Sequence, residues 1–177
     1  MHMIIQVITP ASSKEEALDS AKCVFDGITG EGKPFDYYTT FDEEGSAVSG
    51  KGRYGNVPAV LKVKTKAGKA MVAEGFAATK EEFLSHMTRV REALKKYSDE
   101  EIFEEKTTRS IPKEESTFLF LVRHEMYNVG KYDGSSVWQY DQNGSGIRSR
   151  KDLDGALDPN NLKPGEDYYV VPADVHF

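Results

Sequence analysis

The stretch that decides the fold class is IIQVIT at residues 4–9, followed by PASSKEEALDSAKCVFDGI at residues 10–28. The first part is rich in β-branched residues and ends at a proline, which predicts a buried strand. Ser12 and Ser13 each precede a glutamate by three residues, a spacing typical of a helix N-terminus. The apolar residues that follow recur at helical spacing; they are Leu18, Ala21, Phe25 and Ile28. The segment therefore predicts a strand followed directly by a helix that packs back onto the sheet.

Residues 61–73 have the pattern of a β-hairpin. Leu61, Val63 and Thr65 alternate with lysines at the period of a strand. The Ala-Gly dipeptide at 67–68 predicts a two-residue turn, and the sequence AMVA at 70–73 predicts the return strand. One face of the outgoing strand is therefore basic and the other is apolar.

The remaining elements complete the expected topology. Further strands are expected at residues 35–41, 118–122, 137–140 and 168–171, and further helices at 79–97 and 149–157. The apolar run at 118–122 predicts a central strand, whereas the last strand should end at Pro172. The pattern predicts an α+β fold with a mixed, largely antiparallel sheet of about six to eight strands and its two main helices packed on one face. The first two-thirds of the chain resembles a ferredoxin-like core with added strands, an analogy of fold alone.

Length and composition limit the class of protein. The chain has 177 residues, which predicts one domain over residues 1–177, with a boundary near 113–116 if there are two. Its 38% hydrophobic content is sufficient for a core. No run reaches the roughly 18 apolar residues of a membrane span, so no membrane partner is expected. Cys23 is the single cysteine, which excludes an internal disulfide, and a cytoplasmic location is expected.

The net charge of −6 is unevenly distributed along the chain. Residues 1–50 hold 3 lysines against 9 acids, whereas residues 51–98 hold 11 basic residues against 4 acids, and residues 99–177 hold 9 against 16. The sequence pI near 5.3 argues against a dedicated binder of duplex DNA, because phosphate neutralisation dominates that affinity. The basic block either binds an anion or is neutralised by the acidic flanks of the same fold.

The primary functional hypothesis is a non-catalytic binding or interaction domain. It would use the basic hairpin (62–69) and the Gly-rich loop (45–56) against an acidic partner, with single-stranded nucleic acid the most concrete version. The candidate binding residues are Lys51, Arg53, Tyr54, Lys62, Lys64, Lys66 and Lys69. The alternatives are a solvated lysine face that prevents strand edges from pairing, and a homodimer held by an exposed strand edge or by the tyrosines.

The Gly-rich loop also matches part of a phosphate-binding motif. Residues 45–51 read GSAVSGK, the first seven positions of that motif. Gly52 stands where the motif needs a hydroxyl, and the sequence RYGNVP at 53–58 argues against a helix immediately after the loop. We therefore expect no nucleotide hydrolysis and no cofactor here, and interpret the loop as a mobile arm.

A small enzyme is the alternative to a binding domain. His124 and Glu125 directly follow the apolar run at 118–122, and polar residues where a buried strand ends are often functional. His124 could act as a general base, with Glu125 and Asp133 completing the site. Asp174 and His176 share a face if the last strand continues past Pro172, but no spacing in the chain matches a metal motif, so no metal is expected.

Overall fold

The computed structural model describes residues 2–104, 125–127, 129 and 137–177. The chain divides into two compact units, Met1–Thr79 with Gly134–Phe177, and Lys80–Asp133. The strand expected at 118–122 and the residues His124 and Asp133 lie outside the described part. Among the described helices, none is both long enough and apolar enough to cross a membrane. A single domain over the whole chain stays a prediction.

A five-stranded mixed sheet forms the first unit. Its strands are β1 (His2–Ala11), β2 (Tyr37–Thr40), β3 (Leu61–Lys62), β4 (Gln139–Tyr140) and β5 (Asp167–His176). β5 is the central strand, since β1 pairs with one of its edges and both β2 and β3 pair with the other. All three of these pairings are antiparallel, whereas β4 runs parallel to β1. The α+β class and the largely antiparallel sheet are confirmed; the ferredoxin-like core stays a prediction.

The helices of the described residues are α1 (Lys14–Ile28), α2 (Lys51–Tyr54), α3 (Lys66–Lys96), α4 (Asp99–Glu104) and α5 (Arg150–Ala156), with a 3-10 turn at Pro159–Asn161. Residues 125–127 are also helical. Ser13 caps α1 by accepting a hydrogen bond from the backbone N–H of Glu16, and Ser149 forms a reciprocal capping box with Asp152 at α5. The helices expected at 12–28 and 149–157 are confirmed.

The prediction of a hairpin over 61–73 is wrong. β3 is only two residues long, and α3 begins at Lys66 and continues to Lys96, so the helix expected at 79–97 is the second half of a longer one. The hydroxyl of Thr65 accepts a hydrogen bond from the backbone N–H of Gly68 at 3.1 Å, which caps the first turn. Val72 is 5% exposed and packs in a core cluster, so its burial also favours the helix.

β5 continues through Pro172, although the sequence predicted that the last strand ends there. Pro172 pairs with Gln6 of β1, and the backbone N–H of Gln6 points to the other side of β1, where it donates to Trp138 O at 2.8 Å. The nitrogen of Pro172 therefore points away from β1, towards the edge that β2 and β3 share. Neither strand pairs with β5 at this residue, so the missing N–H removes no ladder hydrogen bond.

α1 covers one face of the sheet. The ring of Phe25 on α1 lies 5.2 Å from the ring of Tyr38, centroid to centroid, and Tyr38 Oη donates to Asp26 at 2.8 Å. Tyr38 is the register partner of Val175, which is in turn the register partner of Met3. Register partners point to the same side of a sheet, so α1 lies on the face that carries Met3 and the odd-numbered residues of β1.

The first part of α3 covers the opposite face. Gln6 on β1 donates to the backbone carbonyl of Met71 at 3.0 Å, and Ile8 packs with Val72 in one core cluster. The two main helices thus lie on opposite faces, and the expectation that both lie on one face needs correction. The physical reason is that β1 is apolar on both faces: Ile5 is fully buried on one, and Ile8 is 1% exposed on the other.

Candidate functional site

Two of the candidate binding lysines are paired with a carboxylate of their own fold. Lys62 Nζ lies 2.8 Å from Asp167 Oδ2, and Lys64 Nζ lies 2.7 Å from Asp167 Oδ1. The hydrogen bonds from Lys62 and Lys64 lower the pKa of Asp167, and the reciprocal hydrogen bond raises the pKa of Lys62. Since one carboxylate serves both lysines, the group of three carries a net positive charge at neutral pH.

The other candidate cations form no ion pair with any described residue; they are Lys51 and Arg53 on α2, and Lys66 and Lys69 in the first turn of α3. Arg53 and both α3 lysines are exposed, and Lys51 is partly exposed. The guanidinium carbon of Arg53 lies 5.6 Å from the ring centroid of Tyr54, as expected for a cation–π contact.

These cations lie on or next to three consecutive elements, namely α2, β3 and the first turn of α3. β3 pairs with the β5 edge that β2 also occupies, and α3 begins four residues after β3 ends. α2 begins directly after Gly50, whose backbone N–H donates to the Asp174 carboxylate on β5 at 2.9 Å, where β5 pairs with β2. We call the set the basic edge; it comprises Lys51, Arg53, Lys62, Lys64, Lys66 and Lys69.

The Gly-rich loop is a compact turn held at Gly50. The hydroxyls of Ser46 and Ser49 lie 2.8 Å apart, and the backbones of the same two residues are joined by two hydrogen bonds. Gly50 adopts φ +56° and ψ −134°, and a Cβ there would lie 2.8 Å from Cγ2 of Thr39. Contrary to the sequence prediction, a helix does follow the loop directly, but α2 is only four residues long. Whether the loop is mobile stays a prediction.

A cluster of polar and aromatic side chains lies where β1, β2 and β5 meet. Asp174 is 1% exposed, and its carboxylate accepts hydrogen bonds from the Gly50 N–H and from Nδ1 of His2, the latter at 3.0 Å. The His176 ring stacks on the Tyr37 ring, with centroids 5.0 Å apart and 8° between the planes. Tyr37 Oη lies 3.5 Å from His2 Nε2. We call His2, Tyr37, Asp174 and His176 the His2 cluster.

The sequence had indicated half of this cluster. It placed Asp174 and His176 on one face if β5 continues past Pro172, and the structure confirms that face. It missed His2 and Tyr37, which are the register partners of His176 on the two neighbouring strands. Local sequence carried no signal for these two residues, because residue 2 lies opposite residue 176 only through the register in which β1 and β5 pair.

Of the residues proposed for an enzyme site, only Glu125 is described. It is 3% exposed and is bonded to two residues of α3: His86 Nδ1 contacts Oε2, and Arg89 Nη1 lies 2.7 Å from Oε1. Burial acts to raise the pKa of Glu125, but the hydrogen bonds from His86 and Arg89 outweigh it, and the pKa is lowered. A carboxyl whose pKa is lowered by two hydrogen-bond donors is suited to stability rather than to accepting a proton. The enzyme site around His124, Glu125 and Asp133 stays a prediction.

The described residues contain no group of three or more His, Cys, Asp or Glu side chains arranged to hold a metal ion. The mixed sheet and its covering helices define the class as an α+β fold. The chain belongs to the family described as Domain of unknown function (DUF7995), whose model matches residues 1–177. No curated protein and no solved structure matches the chain significantly.

Proposed function

We propose that this protein is a binding domain for single-stranded nucleic acid, which it contacts through the basic edge. The observation that carries the proposal is that four of the six cations of this edge form no ion pair with a described residue. Unpaired, exposed lysine and arginine side chains are free to contact phosphates and to release condensed counterions.

The charge of the edge supports a polyanionic partner. The sequence from Lys51 to Ala73 contains six basic residues and no acid. Asp167 is the single carboxylate that pairs with the edge in the described part of the chain, and it serves Lys62 and Lys64 together. The edge therefore carries an excess of positive charge although the whole chain has a net charge of −6. Such a local field attracts anions despite the acidic pI.

The aromatic residue within the edge favours nucleic acid over an acidic polypeptide. Tyr54 is partly exposed on α2 and has the Arg53 guanidinium over its ring. An aromatic ring beside a basic groove offers a base a surface on which to stack, and such stacking is independent of sequence.

The test is the binding of a fluorescent oligothymidylate, followed by anisotropy at several salt concentrations. The test variant carries Lys66→Glu and Lys69→Glu, and the matched control carries Lys33→Glu and Lys95→Glu, which change two exposed lysines outside the edge. We expect the test variant to bind at least tenfold more weakly at low salt. The slope of log affinity against log salt should fall by about 0.7 for each phosphate that the variant no longer neutralises. The control should bind as the wild type does.

Two results would overturn the proposal. One is equal affinity of the wild type and the test variant for the oligonucleotide, with circular dichroism showing both folded. The other is binding of polyglutamate, dependent on Lys66 and Lys69, without binding of the oligonucleotide; this result would assign the edge to an acidic protein. Sedimentation of the same samples at several concentrations would reveal a homodimer, which is the remaining alternative. If oligonucleotide binding is lost only when that homodimer dissociates, the edge serves self-association.

A further inference from the structure

The His2 cluster contains a carboxylate that the polyanion-binding edge does not explain. Asp174 is on the central strand, its side chain is fully buried, and the His2 side chain above it is 10% exposed. Asp174 Oδ2 accepts the Gly50 N–H at 2.9 Å, and its two oxygens lie 3.0 and 3.2 Å from His2 Nδ1. The carboxylate is thus held by the backbone, and among the described residues His2 is the one side chain that it bonds.

This contact determines the proton on the imidazole. A carboxylate accepts hydrogen bonds, so His2 Nδ1 must carry the hydrogen that bonds to Asp174. In the neutral ring the second nitrogen, Nε2, then presents a lone pair. That nitrogen faces Tyr37, whose Oη is 3.5 Å away and is therefore the donor of the pair. The arrangement is a hydroxyl next to a base, with the base oriented by a buried acid.

Tyr37 is both fixed in position and accessible. Its ring stacks on His176, and His176 Nδ1 is bonded to Asp36 at 2.8 Å, so the stacking partner is itself anchored. Tyr37 is nevertheless 45% exposed. A nucleophile needs this combination, since the reacting oxygen must reach a substrate while its base stays aligned.

We propose that Tyr37 is a nucleophile, activated by His2 as general base, and that Asp174 is the positioning residue that orients His2. The substrate class is an anionic phosphoryl ester. A phenolic oxygen is a hard nucleophile suited to phosphorus, and Lys51 directly follows the Gly50 that holds Asp174. Tyr37, His2 and Asp174 lie outside the basic edge, whereas Lys51 belongs to it, so the proposed activity and nucleic-acid binding share one cation.

The proposed steps balance with the phosphoryl ester and water as the two reactants. The Tyr37 hydroxyl proton moves to His2 Nε2 as Oη attacks phosphorus, so an Oη–P bond forms and the bond from phosphorus to the leaving oxygen breaks with its electron pair. The imidazolium then returns the proton to the leaving oxygen. Water attacks the phosphotyrosine by the reverse route, with His2 again removing the proton, and Tyr37 is restored.

The experiment uses an alkyl fluorophosphonate as the probe, with the labelled residue and the labelling rate read by mass spectrometry of the full chain and its peptides. Here the Oη–P bond forms, the P–F bond breaks and fluoride leaves, while the proton passes through His2 to solvent. Tyr127, which is 63% exposed, serves as the internal reference. We expect Tyr37 to react at least tenfold faster than Tyr127.

Variants separate activation from structure. His2→Gly should slow labelling of Tyr37 at least tenfold and leave Tyr127 unchanged, and added imidazole should restore the rate. Asp174→Asn should give a partial loss, because the amide still accepts the Gly50 N–H but orients His2 less well. A purely structural role for His2 would not permit rescue by imidazole.

Two outcomes would overturn the proposal. One is labelling of Tyr37 no faster than that of Tyr127, and the other is an unchanged rate in the folded His2→Gly variant. Neither result bears on the basic edge, because oligonucleotide binding is measured on the same His2→Gly sample and should equal that of the wild type.

Discussion

The side-chain amide of Gln139 on β4 donates to the side-chain carbonyl of Gln6 on β1 at 2.8 Å, beneath α3. Gln139 also donates to the backbone carbonyl of Val72, and Gln6 donates to that of Met71. Both glutamines are buried, and their hydrogen bonds tie two parallel strands to the helix above them. Buried hydrogen bonds of this kind favour one relative placement of helix and sheet, although Gln139 Oε1 is buried without a hydrogen-bond partner among the described residues.

Gly75 on α3 makes this close approach possible, which gives a first prediction. A Cβ at this position would lie 2.5 Å from Gln6 Oε1 and 2.7 Å from Gln139 Nε2. Alanine favours a helix over glycine by about 1 kcal/mol, but here the added carbon must displace the amides. We expect Gly75→Ala to lower the free energy of unfolding by about 1–3 kcal/mol, measured by urea denaturation.

Gly155→Ala is the matched control for that experiment. Gly155 is also helical, in α5, and an added Cβ there would meet no atom within 4 Å. It should raise the free energy of unfolding by about 0.5–1 kcal/mol. If Gly75→Ala stabilises the protein as Gly155→Ala does, then α3 does not lie against the two glutamines as described.

The two amides should be energetically coupled. Gln139→Leu removes the donor to Gln6 Oε1 and leaves that oxygen buried, at a cost of about 1–3 kcal/mol. Combining it with Gln6→Leu removes both polar groups, and we expect the double variant to lose less stability than the sum of the single variants. Four urea denaturation curves complete the cycle. Strict additivity would show that the amides do not bond to each other.

Local pattern was sufficient to predict β1, α1 and the class of the fold. In IIQVIT and the serine-capped segment after it, β-branched content, capping and helical spacing all indicate the same structure. The hairpin prediction for residues 61–73 failed because an alternation of apolar residues and lysines over five positions is too short to specify a strand. The same lysines and apolar residues precede a capping threonine, and the buried position of Val72 favours a helix only once the sheet is present.

The His2 cluster was beyond prediction for a different reason. His2 and Asp174 are 172 residues apart in the chain, and they meet because β1 and β5 pair along their whole lengths. Each residue alone is an ordinary polar position at a strand end. Their proximity is a property of the strand register, which local sequence does not specify when both strands are apolar on both faces.

The free energy of unfolding should depend on pH through Glu125. Its pKa is lowered from the usual value of 4.5, with burial opposed and outweighed by the hydrogen bonds from His86 and Arg89. A carboxyl with a depressed folded-state pKa contributes stability above its unfolded-state pKa, and this contribution is lost as the pH falls through the folded-state value. The wild type should therefore lose stability as the pH falls below 4.5 and through the lowered folded-state pKa of Glu125.

Glu125→Gln should flatten that profile, with a lower stability at neutral pH and a smaller loss on acidification. Glu81→Gln is the matched control, since Glu81 is an exposed residue of α3 that forms no ion pair with the described residues. Thermal unfolding followed by circular dichroism at several pH values gives the comparison. If stability falls with pH in the same way in the wild type and in Glu125→Gln, the Glu125 carboxylate is not the cause of the pH dependence.

Thr65 provides the sharpest test of a helix rather than a hairpin in this region. Its hydroxyl accepts the Gly68 N–H at 3.1 Å, and its carbonyl accepts the Lys69 N–H at 2.9 Å, as an N-cap does. Thr65→Ala should lower the free energy of unfolding by about 1 kcal/mol. Thr65→Ser keeps the hydroxyl and should lose much less, whereas a hairpin strand would favour the β-branched threonine over both. The expected order of stability is threonine, then serine close behind, then alanine, and equal losses for serine and alanine would contradict the cap.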